Sequence, residues 1–268
     1  MVHLLESGGI YGARHVVGHV AFEPEMTPGD GLLVALLTTG RTVFDEPGAP
    51  AAPVDDKLRE QMPHTWRVKN VPKEGPPPLY AMGDYVIVDD MVRDKLEELE
   101  PGRHEFFPLR IEETDRRRNR AWDGFNLVLV TAKPDAIDFD RTLHTKHLHQ
   151  REDDGVQVSS IGLTRLYGDW KGQSKGYLAN FKPGTLDGHH LWRGTVGRPD
   201  WFQFRPAKNS NHNRDCYIDA FARTLFVSDE FASFLRDNKL RGAKPVPITE
   251  RPLDWYMRLV EQRAPSKQ

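Results

Sequence analysis

The strongest constraint on the fold is a pair of segments written in one grammar, VDDMVRDKLEELEPG at 88–102 and VSDEFASFLRDNKLRG at 227–242. In the first, DYVIV (84–88) is short and β-branched, which suits a strand. Asp89 then caps a helix in which Val92, Leu96 and Leu99 form one apolar stripe. Pro101 cannot continue that helix, and Gly102 can take the left-handed closing conformation. EFFPLRI (105–111) reads as a second strand, with Pro108 predicting an edge or irregular position.

The later copy supplies TLFV as strand, Ser228 as cap, Phe231, Phe234 and Leu235 as stripe, Gly242 as stop and KPVPI as exit strand. Aligned without a gap, Val88, Asp90, Leu96 and Pro108 match Val227, Asp229, Leu235 and Pro247. Acidic residues open both helices, where they complement the helix dipole. The shared positions are caps, stripes and breakers and none is a reactive side chain, so the repeat reads as architecture. Two strand–helix–strand units, 84–111 and 223–249, do not make a solenoid, which needs about three stacked repeats.

Strand candidates lie between the copies: FNLVLV at 125, VQVSSIGL at 156, YLANF at 177, WFQF at 201 and CYIDAFA at 216. Strands outnumber helices and do not alternate with them, which predicts a mixed, strand-rich α+β fold. Before residue 75 the breakers PGDG, EPGAPAAP and KEGPPP predict turns and extended connections. The expected division is a proline- and glycine-rich extension or small sheet at 1–75 and an α+β domain at 76–268.

The 268 residues carry 37 basic and 39 acidic side chains, a formal charge of −2, so no whole-chain field draws nucleic acid or anionic lipid. Cys216 is the only cysteine, which excludes an intrachain disulfide and a multi-thiolate zinc site. The longest apolar run, LLVALL at 32–37, is about a third of the roughly 20 residues that span a bilayer. MVHLLESGGIYGARH lacks a basic leader and a long apolar stretch. The expectation is a cytoplasmic protein without a membrane partner.

The two units, FNLVLVTAKPDAIDFDRT and ARTLFVSDEFASFLRDNKLRGAKPVPI together resemble the eleventh immunity-protein family of bacterial polymorphic toxin systems. Two signals carry the resemblance, one from Val88 to Pro108 and the other from Val227 to Pro247, within a likeness spanning roughly 64–250. Residues 1 to about 63 do not match the pattern. The resemblance implies a cytosolic, non-enzymatic protein that binds and neutralises a toxin encoded beside it, and implies no catalytic residues.

Other constellations offer rival chemistry. HTKHLHQ groups His144, His147 and His149; a helix would put His144 and His147 on one face, a strand His147 and His149. Converged with His189, His190, His212 and Asp215, they would furnish a metal-dependent hydrolase, against the plainer reading of polar turns. RRRNR at 116–120 and the Trp170, Lys171, Lys175 and Tyr177 set would suit a nucleic-acid module, but EETD precedes the arginines and cancels much of their charge. Nucleic acid is therefore not the expected partner. Neither a P-loop, a dinucleotide-binding glycine motif nor a nucleophile elbow is present, and no cofactor is expected.

Overall fold

The computed structural model describes residues 1–7, 18–23, 56–60, 62–82, 85–114, 119–132, 134–138, 141, 144–150, 157–167, 174–194 and 225–250. They form two mixed sheets and three helices, the expected strand-rich α+β class. In chain order the elements begin with β1 (Val2–Ser7), β2 (Gly18–Glu23), α1 (Asp56–Arg59), β3 (Thr65–Lys69), β4 (Leu79–Met82) and β5 (Tyr85–Asp89). Next come α2 (Asp90–Leu99), β6 (Glu105–Glu113), β7 (Ala121–Leu129), β8 (His144–Gln150) and β9 (Gln157–Tyr167). The last are β10 (Ser174–Leu178), β11 (Leu191–Arg193), β12 (Leu225–Ser228), α3 (Asp229–Asp237) and β13 (Ala243–Thr249).

One sheet has the order β2-β3-β6-β7-β5-β4 and the other, read from its far edge, β8-β9-β10-β13-β1-β12-β11. The registers show that these are one design used twice. Asn126 on β7 lies opposite both Val88 and Pro108, while His3 on β1 lies opposite both Val227 and Pro247. Those partners are related by the same 139-residue shift as the sequence repeat. Leu79 pairs with Val88 as Leu191 pairs with Val227. Thr65 meets Arg110 in a parallel ladder as Leu178 meets Thr249. The strands β2 and β9 each flank the parallel strand in antiparallel fashion. The repeat therefore covers six strands and a helix in each unit, with β8 as an addition at one edge.

The units differ in where one strand comes from. In the first, β7 follows β6 along the chain and fills the gap between β5 and β6. In the second, the equivalent place between β12 and β13 is taken by β1, which lies at the other end of the sequence. Residues 2–7, read above as part of an extension or small sheet, sit inside the seven-stranded sheet.

Strand alternation divides the apolar residues into three layers. Val86, Val88 and Val128 of the first sheet face the helices, together with Leu5, Leu225 and Val227 of the second. Val92, Leu96, Phe231, Ala232 and Leu235 fill the space between them, so one central core joins both units. The opposite faces carry their own cores. One is built on Trp66, Ile87, Leu127 and Ile111, the other on Trp192, Phe226, Phe181 and Ile248. Trp192 stacks on Phe226 with centroids 5.9 Å apart.

Both predicted caps are made. Asp89 accepts from the Val92 N–H at 2.9 Å and the Ser228 hydroxyl accepts from the Phe231 N–H at 3.1 Å. Pro108 lies in an interior strand between β3 and β7, and of the two expectations the irregular one holds: the β6–β7 register shifts between Leu109 and Ile111. It is tolerated because the parallel pairing with β3 begins only at Arg110, so the missing N–H is not needed on that side. Pro247 in β13 likewise precedes the pairing with β10, which begins at Ile248.

Candidate functional site

The polar residues that most need explanation lie where the two units meet, at the end of α2. Glu100 caps that helix, its N–H donating to the Leu96 carbonyl at 2.8 Å, and turns its carboxylate inward, where it is fully buried. His104 Nε2 donates to its Oε2 at 3.0 Å, and the Leu191 N–H of the second unit donates to the same oxygen at 2.8 Å. The other oxygen lies 3.5 Å from Arg103 Nε and 3.9 Å from His189 Nδ1. Burial works against the charge of Glu100. The His104 hydrogen bond and charge, with the backbone N–H groups of Leu191 and His190, outweigh it and hold the carboxyl below the usual carboxylate range.

His189 sits above this carboxylate. An Arg103 Nη1–H donates to its ring, 2.5 Å from Nδ1. The same Nη1 lies 3.3 Å from Nε2, so the guanidinium rests against the face of the imidazole. Burial and the Arg103 charge both push the His189 pKa down. His190 continues the connection: its Nδ1 lies 2.9 Å from Ser228 Oγ, the cap of α3, and 3.8 Å from Glu230 Oε2. A single polar run thus leads from the last turn of α2 to the first turn of α3.

The duplicated design places an equivalent joint on the other side. There Gly242, at the end of the α3 turn, forms a parallel bridge with Leu79, and Arg241 Nη1 lies 3.4 Å from Glu74 Oε2. The Gly242 backbone has φ +111°, and an added Cβ would lie 1.7 Å from the Leu79 carbonyl oxygen. The glycine predicted as a helix stop is therefore also the point where the two backbones touch. Each unit sends the loop before its β4-type strand to the helix end of the other. One contact is backbone to backbone; the other is built from a carboxylate and imidazoles.

Of the predicted metal ligands, His189 and His190 enter this seam. His144, His147 and His149 fall on β8, a strand and not a helix, of which only the backbone is described. His212 and Asp215 lie outside the described residues, as do Arg116, Arg117, Arg118, Trp170, Lys171 and Cys216. Among the described residues no group of three or more His, Cys, Asp or Glu side chains is arranged to hold a metal ion. Arg120 is committed to structure: its guanidinium binds Glu113 Oε2 at 2.8 Å and the Val71 carbonyl at 2.9 Å. Tyr177 is buried in the second unit's outer core. The sequence reading missed Glu100, Arg103 and His104 as a group. The signal was present as a glutamate and a histidine four apart across a proline-glycine helix stop.

Read chemically, the seam is a fastening. Glu100 Oε2 accepts from a backbone N–H and an imidazole, and the Ser228 hydroxyl that meets His190 also caps α3. Comparison with known families adds a decisive observation: residues 21–195 match the immunity protein family (Imm11). The chain belongs to this family. The Imm11 match begins at 21, so much of the proline-rich start, read above as outside the family pattern, lies within it. It ends at 195, and thus takes in the first unit from Ala21 onward and β8 to β11 but leaves β1, the start of β2, β12, α3 and β13 beyond it. No curated protein matches the chain. Among the described residues, no helix is long and apolar enough to cross a membrane.

Proposed function

We propose that the chain is a non-enzymatic immunity protein that binds a cognate bacterial toxin encoded nearby and blocks it in the cytoplasm of the producing cell. Membership of the Imm11 family carries this reading. The seam agrees with it, because its ionisable groups bridge the two units and the hydroxyl of its Ser228–His190 contact serves as the cap of α3. Affinity in such a complex resides in a few aromatic and arginine anchors within an interface of the order of 1,600 Å². Co-expression with the neighbouring toxin gene restores growth, and the two proteins copurify. Continued growth arrest without copurification overturns the reading.

A further inference from the structure

The 139-residue shift that relates the two units also sets equivalent surfaces side by side. Residues 97–105, at the end of α2, carry four glutamates and one arginine, a net charge of −3. Residues 236–244, at the end of α3, carry four cations and one aspartate, a net charge of +3. Three equivalent positions are reversed outright: Glu97, Glu100 and Glu105 stand where the second unit has Arg236, Lys239 and Lys244. We propose, resting on the immunity reading above, that the basic end of α3 is the face that receives the cognate toxin, and that the toxin meets it with acidic side chains.

The two sets of charges are used differently. Every glutamate of the first is engaged within the chain: Glu100 is buried in the seam, Glu105 holds Arg59 at 2.5 Å, Glu98 holds Lys95 at 2.6 Å and Glu97 accepts the Gly102 N–H at 3.2 Å. In the second set Lys239 and Lys244 are exposed, and neither ammonium group meets a polar partner among the described residues. Arg241 is exposed beside Glu74 at 3.4 Å, which brings the exposed Lys73 of the first unit to the same place. The helix dipole favours cations at the end of α3 and accounts for Arg236. It does not account for the backbone at Lys239, where φ is +51°. There the Lys239 N–H donates to the Arg236 carbonyl at 2.9 Å and the Leu240 N–H to the Leu235 carbonyl at 3.0 Å, a left-handed closure that glycine fits best. A lysine at that place gives up local stability and gains an exposed charge. The face suits a protein better than a nucleic acid. Glu74 and Asp237 interrupt its positive charge, and among the described residues no aromatic side chain is exposed for a base to stack on.

The association rate of the full chain with the purified product of the neighbouring toxin gene, timed from about 0.05 to about 0.5 M salt, tests this assignment. Exposed charges steer encounter, so the wild-type rate falls by about tenfold or more over that range while dissociation changes little. Lys239→Gly combined with Lys244→Gln slows association by roughly threefold to tenfold at low salt and leaves it unchanged at high salt. Lys239→Gly alone melts no lower than wild type, because glycine accepts the left-handed backbone, so a slower encounter is not a folding defect. Should the double variant not fold, Lys73→Gln with Arg241→Gln slows association in the same way. A wild-type rate insensitive to salt, or rates equal in variant and wild type, overturns the proposal and leaves toxin binding intact. Loss of RNA binding by the variant with an unchanged toxin rate assigns the face to nucleic acid and overturns it as well. A wild-type chain that does not bind the toxin at all overturns the immunity reading, and the toxin-binding face with it.

Discussion

A side chain at position 242 would run into the Leu79 carbonyl, and the left-handed backbone there already disfavours any residue with a Cβ. Gly242→Ala is expected to cost on the order of 3 kcal/mol or more, measured by denaturant unfolding. Gly102, also left-handed but with open space around it, serves as the control: Gly102→Ala costs about 1 kcal/mol. Equal losses at the two glycines would show that the contact with Leu79 is unimportant. At Glu100 the expected cost of Glu100→Ala is about 3 kcal/mol, since it leaves the buried Leu191 N–H and His104 Nε2 without an acceptor. The caps, stripes and stops were legible in the sequence because each is a local property of a few neighbouring residues. The second role of Gly242 and the burial of Glu100 were not, because both depend on a loop that arrives from the other unit.

At the scale of elements, the two helices depend on the same local chemistry, and their caps offer a direct comparison. Asp89→Ala and Ser228→Ala should each remove about 1 kcal/mol. The second should cost more than the first, because Ser228 also meets His190 and so ties α3 to the seam. Unfolding curves of the two variants check the order, and a larger loss at Asp89 would contradict it. The helices could be predicted from 3.6-residue periodicity, as could several strands from β-branched runs. Strand order could not. Nothing local in MVHLLES announces that it lies between β12 and β13, since its pairing is written in residues more than 200 positions away. Pro108 foretold the irregularity that follows it in β6 but not the interior place of the strand: the sequence shows that an N–H is missing, and only the parallel neighbour shows where the ladder would have needed it.

For the whole molecule, acid should be the main solution stress. Burial and then Arg236 lower the pKa of His3, and burial and then Arg103 lower that of His189. Both rings are easier to protonate when unfolded, so stability is complete above about pH 6.5 and falls as pH drops below it. Glu100, held below the ordinary carboxylate range, adds a further loss at lower pH. Asp89 runs the other way: burial raises its pKa, so its penalty is present when ionised and is relieved by acid. Three groups against one predict a melting temperature that is flat from pH 8 to 7 and declines from pH 6 downward. A melting temperature that rises over that lower range would contradict the balance. The sequence showed a repeat of 28 residues, whereas the structure shows two whole sheets sharing one core.

The placement of β1 also has a consequence for how the chain is made. A ribosome completes the first unit with strands that emerge one after another, whereas the berth for β1 exists only after β12 and β13 have been translated. During that interval a strand carrying Leu4 and Leu5 has no sheet to enter, which makes the nascent chain a natural client for a holding chaperone.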